Sequence, residues 1–382
     1  MRRIGVLVLI MIVAVGCAPT PPPQPPAPPA PCRATLAFSV HDSRMPLAEV
    51  HVVIGETSQG DTNSDGYVAW ELPCGGYSAS LTKAGYLDTA VSVALTQNVD
   101  ISVEMIPLVS PMQRLHVCDI HFCQEDSARW NWYGMTAFSL AFDIAQGHQP
   151  HVETFLDYAA ANSVTVVRVL TTAVNLFDLE PGAGRIAAER VLQLAADRGL
   201  YTELVGLADT AQRVFDHQDH LRQLGALCVR FPGCMIEIAN EPNHETQDTR
   251  VKDVNYLRGL AAQLPPAVLY SLGASHGPDD ENTIYWGGSY ATVHGDRKGG
   301  WDSVRHIREM QALRDRGTTT TTHKPVVSDE PDRNLSLDQH LGMALLARLY
   351  ALGDTFHYAG GLRGQIPSGD ELGAFQARQR GW

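Results

Sequence analysis

The sequence predicts an α/β protein, a (β/α)8 TIM barrel that follows a small N-terminal all-β sandwich domain. Over residues 112–382, strand signals alternate with helix signals, which is the pattern of a parallel α/β fold. This stretch is close to the usual barrel length of about 250 residues. Over residues 32–108, short segments of alternating polarity are separated by Gly, Asn and Asp clusters, which is typical of antiparallel strands.

Composition excludes one class of partner. The chain has 382 residues, and its 29 Lys and Arg against 42 Asp and Glu give a net charge of −13. Nucleic-acid-binding proteins normally present a basic surface, and no basic run in this sequence is longer than the two residues of Arg2-Arg3. We therefore expect no nucleic acid partner.

The N-terminal residues predict export. Arg2 and Arg3 precede the apolar segment Ile4 to Val15, which is too short to span a bilayer comfortably, so residues 1–16 are assigned to a signal peptide. The small residue before Cys17 resembles the lipobox of bacterial lipoproteins, and this resemblance implies that Cys17 is acylated and anchors the protein to the cell envelope. The alternative is ordinary cleavage after Gly16 and secretion. Residues 18–31 form a Pro-rich linker.

The cysteines predict disulfides. Of the seven cysteines, six remain besides Cys17, an even number that suits an oxidising compartment. Zinc ligation is the competing interpretation, but the sequence has no C-x-x-C and no His at finger spacing, so we expect no metal there. Of 15 possible pairings, the one between neighbours along the chain joins Cys32 with Cys74, Cys118 with Cys123, and Cys228 with Cys234.

The all-β segment resembles a known accessory module. Three Gly- and Tyr-containing turns, Thr62 to Tyr67, Pro73 to Tyr77 and Lys83 to Tyr86, are similar to those of carboxypeptidase-regulatory-like β-sandwiches. Such modules are usually spacers or binding domains. The run Asp61 to Gly66 also looks like the opening of a calcium-binding EF-hand loop, but the twelfth position is Leu72 instead of a carboxylate, which favours a simple turn.

Eight strands are predicted for the barrel. The rival architecture is an open doubly wound sheet, but the sequence has no Gly-rich phosphate loop. The predicted strands lie at Gly134 to Leu140, Val164 to Leu170, Tyr201 to Leu207, Met235 to Ala239, Val268 to Leu272, Tyr290 to His294, Pro325 to Ser328 and Thr355 to Tyr358.

Polar residues occupy the ends of several of these strands, where barrel enzymes place their chemistry. Arg168 lies on strand two, Asn240-Glu241 ends strand four, His294 ends strand six and Glu330 ends strand seven. Two carboxylates at opposed strand ends suit glycoside hydrolysis, in which one protonates the leaving oxygen and the other attacks the anomeric carbon.

The run Met235 to Asn243, with its Asn-Glu-Pro, resembles the acid/base strand of clan A glycoside hydrolases of the cellulase-like family 5 type. The resemblance implies that Glu241 is the acid/base, Asn240 holds the sugar 2-hydroxyl, Glu330 is the nucleophile and Arg168 orients it. Alternation places Ser328 and Glu330 on one face and so favours Glu330 over Asp329 as nucleophile.

Further residues are expected at the site. Alternation places Glu237 on the inward face of strand four, which predicts an ion pair from Arg168 to Glu237 or Glu330, because a buried unpaired charge is costly. The family's tryptophan after strand eight is absent, and Tyr358 is the candidate replacement. The remaining candidates for substrate contact are His294, Trp286 and Trp301.

The sequence thus predicts an exported retaining glycoside hydrolase that acts by double displacement on a β-linked polysaccharide or oligosaccharide. We expect no metal and no organic cofactor, and membrane contact only through the lipid anchor. Sugar identity and oligomeric state are left open. The competing interpretations are a catalytically inactive barrel that binds carbohydrate as a surface lipoprotein, and a structural lipoprotein whose β module docks a partner.

Overall fold

The computed structural model describes residues 32–42, 45–55, 58–83, 85–108, 112–274, 288–294, 302–316 and 324–382. Cys17, Trp286 and Trp301 lie outside the described residues, as do the predicted signal peptide and linker. Within the described ranges, no helix combines the length and apolar character needed to cross a membrane.

The N-terminal segment forms two β-sheets around one hydrophobic core. A three-stranded sheet has the order β4-β1-β7, and a four-stranded sheet has the order β3-β2-β5-β6. Leu36 and Phe38 of β1 share their core with Val52 of β2 and Leu81 of β5, so each sheet buries one of its faces in this common core. The assignment to a family of β-sandwiches remains a prediction. The strands are β1 Arg33–His41, β2 His51–Ile54, β3 Ser58–Asp61, β4 Tyr67–Pro73, β5 Gly75–Thr82, β6 Thr89–Leu95 and β7 Val99–Glu104.

The EF-hand-like run is a turn between β3 and β4. The side-chain Oδ1 of Asn63 accepts hydrogen bonds from the backbone N–H groups of Asp65 (3.0 Å) and Tyr67 (2.9 Å). Gly66 has φ +73°, and a Cβ at this position would lie 2.2 Å from the Val40 carbonyl oxygen, so only glycine fits. The side-chain oxygen of Asn63 is thus used within the turn, and Asp61 pairs with His51 at 2.7 Å.

Residues 133–356 contain eight parallel strands that form a nearly closed barrel, as the sequence predicts. All five residues of β12 are buried, because the barrel interior covers one face and the helices cover the other. The barrel strands are β11 Tyr133–Thr136, β12 Val166–Leu170, β13 Tyr201–Leu207, β14 Cys234–Ala239, β15 Tyr270–Ser271, β16 Ala291–Val293, β17 Val326–Ser328 and β18 Gly353–Phe356. The described helices are α1 Leu140–Ala145, α2 Gln149–Ala161, α3 Pro181–Ala196, α4 His217–Arg230, α5 Val254–Ala261, α6 Ser303–Arg316, α7 Leu337–Leu349 and α8 Gly369–Gln379.

The ring closes between β15 and β16, which stand at the two ends of the hydrogen-bonded strand order. We call this junction the seam. The Ser289 N–H donates to the Tyr270 carbonyl across it at 2.7 Å. A Cβ on Gly288 would lie 2.5 Å from the same carbonyl oxygen, so the close approach of the two chains requires glycine there.

Aromatic side chains fill the barrel at the N-terminal ends of its strands. A small antiparallel sheet lies against this end, and its Phe122 ring is 5.6 Å from the Trp132 ring and 5.5 Å from the Tyr290 ring. Tyr201 and Met235, from the starts of β13 and β14, belong to the same apolar cluster. This end is therefore packed, and the polar residues lie toward the opposite end. The small sheet consists of β8 His116–Cys118, β9 His121–Cys123 and β10 Arg129–Trp130.

Three disulfides join the pairs that the sequence predicts. Cys32–Cys74 links the residue before β1 to the residue after β4, and Cys118–Cys123 closes the β8–β9 hairpin. Cys228–Cys234 joins the last turn of α4 to the first residue of β14. This bond fixes the start of the strand whose other end leads into Asn240 and Glu241.

Candidate active site

Arg168 lies at the centre of the barrel and is only 1% exposed. Its Nη2 is 2.5 Å from Glu237 Oε2, and its Nη1 is 2.5 Å from Glu330 Oε1, so the expected ion pair forms with both carboxylates. Two further carboxylates are close, Asp329 at 3.3 Å from Nη2 and Glu203 at 3.4 Å from Nε. One cation is thus surrounded by four acidic side chains.

Three of the acids around Arg168 have pKa values that are shifted in different directions. Burial raises the pKa of Glu203 to about 8, although Arg168 opposes the shift, and burial raises the pKa of Glu237 well above its usual range. Burial also acts on Asp329, but His294 and Arg168 outweigh it and lower the pKa of Asp329. Glu203 and Glu237 therefore ionise less readily than Asp329. Glu203 Oε1 accepts the Tyr290 hydroxyl at 2.6 Å.

His294 follows β16 and lies among three of the strand-end carboxylates. Its Nδ1 is 3.1 Å from Glu241 Oε1, and its Nε2 is 3.5 Å from Asp329 Oδ2 and 3.9 Å from Glu330 Oε1. Burial lowers the pKa of His294, but the charges of Glu330 and Asp329 and the hydrogen bond with Glu241 outweigh burial and raise it to about 10. His294 is accordingly an imidazolium at neutral pH.

Asn240 and Glu241 follow β14, and the backbone of Glu241 has an unusual conformation. Asn240 Oδ1 accepts from Arg168 Nη2 at 2.9 Å, which ties the end of β14 to the central cation. Glu241 has φ +41°, a left-handed conformation that non-glycine residues adopt at a cost of about 1–3 kcal/mol when the surroundings impose it. Its side chain is 13% exposed, and one of its oxygens lies within 4.8 Å of a Glu330 oxygen.

Asn240, Glu241 and Glu330 line a cleft of about 240 Å³ at the C-terminal ends of the strands. His357, which follows β18, also lines it, and its Nε2 is 3.9 Å from Glu330 Oε2. The His357 Nδ1 is hydrogen-bonded to the Thr136 hydroxyl at 2.9 Å. The other lining residues are Phe138, Asn175, Leu176, Asp209, His244, Thr246, Gln247, Arg333 and Leu362.

Tyr358 does not line this cleft, contrary to the expectation that it replaces the family's tryptophan. Its ring stacks on Phe356 at 4.7 Å, and its hydroxyl donates to the Gln365 carbonyl at 2.6 Å. Consecutive residues at a strand end point in opposite directions, so His357 faces the cleft and Tyr358 faces a separate cavity that Glu371 of α8 also lines.

Sequence reasoning missed Gln247, a buried amide in the loop after β14. Its Nε2 donates to the Asn240 carbonyl and, at 3.3 Å, to the Leu207 carbonyl. Its Oε1 accepts from the Thr210 hydroxyl at 2.7 Å. Nothing local in the sequence marks Gln247, whereas Glu203, also missed, is a carboxylate within the apolar run of β13 and could have been found.

Two trios of side chains come close enough to hold a metal ion, with one atom from each residue within 4.8 Å of the others. They are Glu237, His294 and Asp329, and Glu241, His294 and Glu330. Arg168 already supplies a positive charge to Glu237, Asp329 and Glu330 at 2.5–3.3 Å. Among the described residues we therefore assign these groups to ion pairing.

No protein family profile matches the chain, and no curated protein sequence is significantly similar to it. Solved structures are similar to it. One is a β-glucanase from Saccharophagus degradans in complex with cellotetraose, at 8% identity and a TM-score of 0.51, covering 70% of this chain and 93% of the other. The native form of that enzyme matches at 11% identity and a TM-score of 0.50, covering 70% and 92%. The chain therefore shares the barrel fold of that β-glucanase.

Proposed function

We propose that the protein is a retaining glycoside hydrolase that cleaves β-linked glycans, with Glu241 as acid/base and Glu330 as nucleophile. The observation that supports this most directly is the approach of a Glu241 oxygen to within 4.8 Å of a Glu330 oxygen. Retaining glycosidases hold their two carboxyl groups about 5–5.5 Å apart, whereas inverting enzymes need about 6.5–9.5 Å to admit a water. The short separation favours double displacement.

The surroundings of each carboxylate suit its proposed role. Arg168 Nη1 contacts Glu330 Oε1 at 2.5 Å and favours the ionised form that a nucleophile needs. In the first step, Glu241 gives its proton to the leaving oxygen while Glu330 forms a bond to the anomeric carbon. In the second step, water attacks that carbon, Glu241 accepts the water proton and Glu330 departs as a carboxylate.

The proposal extends to the substrate class, the location of the protein and its N-terminal segment. A neighbour of the same fold binds cellotetraose, which supports a β-linked oligosaccharide or polysaccharide as substrate class. The signal-like N-terminus and Cys17 support an exported protein, anchored by lipid if Cys17 is acylated. Residues 32–108 then act as an accessory module between the linker at 18–31 and the catalytic barrel at 112–382.

The test uses Glu241→Gln and Glu330→Gln on a panel of activated aryl glycosides. Each change removes an ionisable group at nearly constant size, so turnover should fall by about 10²–10⁴-fold. Glu245→Gln is the matched control, because Glu245 is an exposed carboxylate of the same loop, and its turnover should stay within about twofold of the parent. A variant at Glu241 or Glu330 that keeps full activity would contradict the assignment.

A trapping experiment identifies the nucleophile directly. The full chain is incubated with activated 2-fluoro-glycosides, and the covalent adduct is located by peptide mass spectrometry. We expect the sugar on Glu330. An adduct on Asp329 would move the nucleophile by one residue, and glycan binding with neither adduct nor turnover would favour a catalytically inactive carbohydrate-binding barrel.

A further inference from the structure

Asp329 is a buried carboxylate to which the two-step mechanism gives no chemical task. It is 0% exposed, and it contacts His294 Nε2 at 3.5 Å and Arg168 Nη2 at 3.3 Å. Glu330, by contrast, lines the cleft. Asp329 therefore faces inward, away from substrate, and its partners are the two cations of the site.

The charged and titratable groups around His294 come from five other strands of the barrel. β12 contributes Arg168, β13 contributes Glu203 and β14 contributes Glu237 and Glu241; Asp329 and Glu330 follow β17, and His357 follows β18 beside Glu330. Burial disfavours the ionised forms of Glu203 and Glu237. Asp329 and Glu330 each lie within 3.9 Å of both cations, Arg168 and His294, so that two carboxylates balance two cations.

This balance persists when the proposed reaction moves charge. On formation of the glycosyl-enzyme, Glu330 loses its negative charge to the new ester bond, and Glu241 gains one by giving up its proton. His294 contacts both residues, Glu241 through Nδ1 at 3.1 Å and Glu330 through Nε2 at 3.9 Å. Asp329 is the carboxylate beside His294 that keeps its charge through both steps.

We propose that Asp329 is a positioning residue that keeps His294 in the doubly protonated form, so that the imidazolium donates its Nδ1–H to Glu241 in both halves of the reaction. This inference rests on the proposed function for its catalytic meaning. An imidazolium beside Glu241 stabilises the carboxylate that forms when the leaving group takes its proton. Because Asp329 keeps its negative charge, His294 stays protonated while Glu330 changes from a carboxylate to an ester and back.

The experiment follows the protonation of His294 by NMR in the full chain labelled with ¹⁵N-histidine, with His294→Asn used for assignment. In the parent protein both ring nitrogens should remain protonated up to about pH 10. Asp329→Asn should lower the midpoint by about one pH unit or more, because a neighbouring negative charge is lost. Asp354→Asn is the matched control, since Asp354 is also a buried aspartate beside an arginine, and it should leave the His294 midpoint unchanged.

A second variant imitates the covalent intermediate. Glu330→Gln removes the nucleophile's charge and leaves Asp329 in place, so His294 should still be doubly protonated at pH 7. A neutral His294 in this variant or in the parent at pH 7 would overturn the proposal, as would an unchanged midpoint in Asp329→Asn. These spectra require no turnover, so they stand or fall independently of the trapping of Glu330.

Kinetics provide a readout that a purely structural role would not move. If Asp329→Asn weakens the imidazolium, the Glu241 carboxylate loses stabilisation and its pKa rises. The alkaline limb of kcat/KM and the acid limb of the deglycosylation rate should then both move to higher pH by about one unit. A lower plateau with unmoved limbs would assign Asp329 to folding alone.

Discussion

In the part of the chain that the structure describes, two arginines are almost completely buried, and they differ in their partners. Arg168, inside the barrel, lies within 3.4 Å of four carboxylates. Arg378, on α8 outside the barrel, pairs with the single carboxylate of Asp354 at 2.6 Å and also donates to the Thr355 carbonyl and His340 Nδ1. Burial and ion pairing are common to both. Among the described residues, only Arg168 has more carboxylates around it than it can neutralise, and one of them, Glu330, lines a cleft. We take this combination as the sign of a reactive site.

The histidines beside the two arginines make the same contrast. Burial and then Arg378 lower the pKa of His340 to about 3, so its neutral ring accepts a hydrogen bond from Arg378. The surrounding carboxylates raise the pKa of His294 to about 10 against the effect of burial. An imidazole is thus neutral where cations dominate and charged where anions dominate.

The largest effect is expected for Arg168→Met. Removal of the cation leaves buried carboxylates without a partner, which should lower the free energy of unfolding by about 3–5 kcal/mol. Turnover per folded molecule should also fall by about 10²–10³-fold, because Glu330 and Asn240 lose the group that orients them. Urea unfolding and kcat measured on the same preparation check both effects. Turnover within threefold of the parent would show that Arg168, like Arg378, supports only the stability of the fold.

Arg378→Met should lower stability by a similar amount, about 3–5 kcal/mol, and leave kcat per folded molecule unchanged. Arg378 joins the last helix to β18, and none of its contacts reaches the cleft. The double variant Arg378→Met with Asp354→Leu should regain part of the lost stability, since it leaves no unpaired carboxylate. A fall in kcat for the single variant would show that this ion pair also supports the site.

Gln247→Met should reduce kcat by about tenfold, less than the 100-fold that follows a misplacement of about 1 Å. The change removes the amide that donates to the carbonyl of Asn240, next to the proposed acid/base. Gln379→Met is a matched control, because Gln379 also donates to a carbonyl, that of Asn162, but beside Arg378. Equal kcat values for the two variants would show that Gln247 does not help to position Glu241.

The smallest effect is a pH dependence of stability at His340. Its pKa is lower in the folded protein than in the unfolded chain, so only the unfolded chain takes up a proton as the pH falls from about 6.5 toward 3. The advantage in unfolding free energy of the parent over His340→Asn should therefore shrink across this interval. Urea unfolding at pH 7, 5.5 and 4 provides the comparison, and a constant difference would argue against a neutral His340 in the fold.

The barrel strands were predictable because each is a short apolar run, and the strand-end candidates followed from the rule that barrel chemistry lies there. Alternation, however, holds only while the chain is extended. β17 ends at Ser328, and beyond it both Asp329 and Glu330 reach Arg168, although alternation had separated them.

Contacts between distant segments account for the remaining differences. Gln247 acquires its position from the carbonyls of Leu207 and Asn240, which belong to two different strand ends. The state of Glu203 depends on Arg168 and Tyr290, which no local pattern brings together. Contacts of this kind form only in the folded barrel, so a local sequence pattern does not reveal them.

The barrel is a split ring, and the seam lies between the two proposed catalytic carboxylates. Glu241 follows β14, on one side of the seam, while Glu330 follows β17, on the other. The His294–Glu241 contact bridges the gap at the cleft end, and the Ser289–Tyr270 hydrogen bond bridges it on the strands themselves. A slight widening of the barrel at this junction would move the proposed acid/base away from the proposed nucleophile. The diameter of the barrel therefore sets the distance between the two carboxylates.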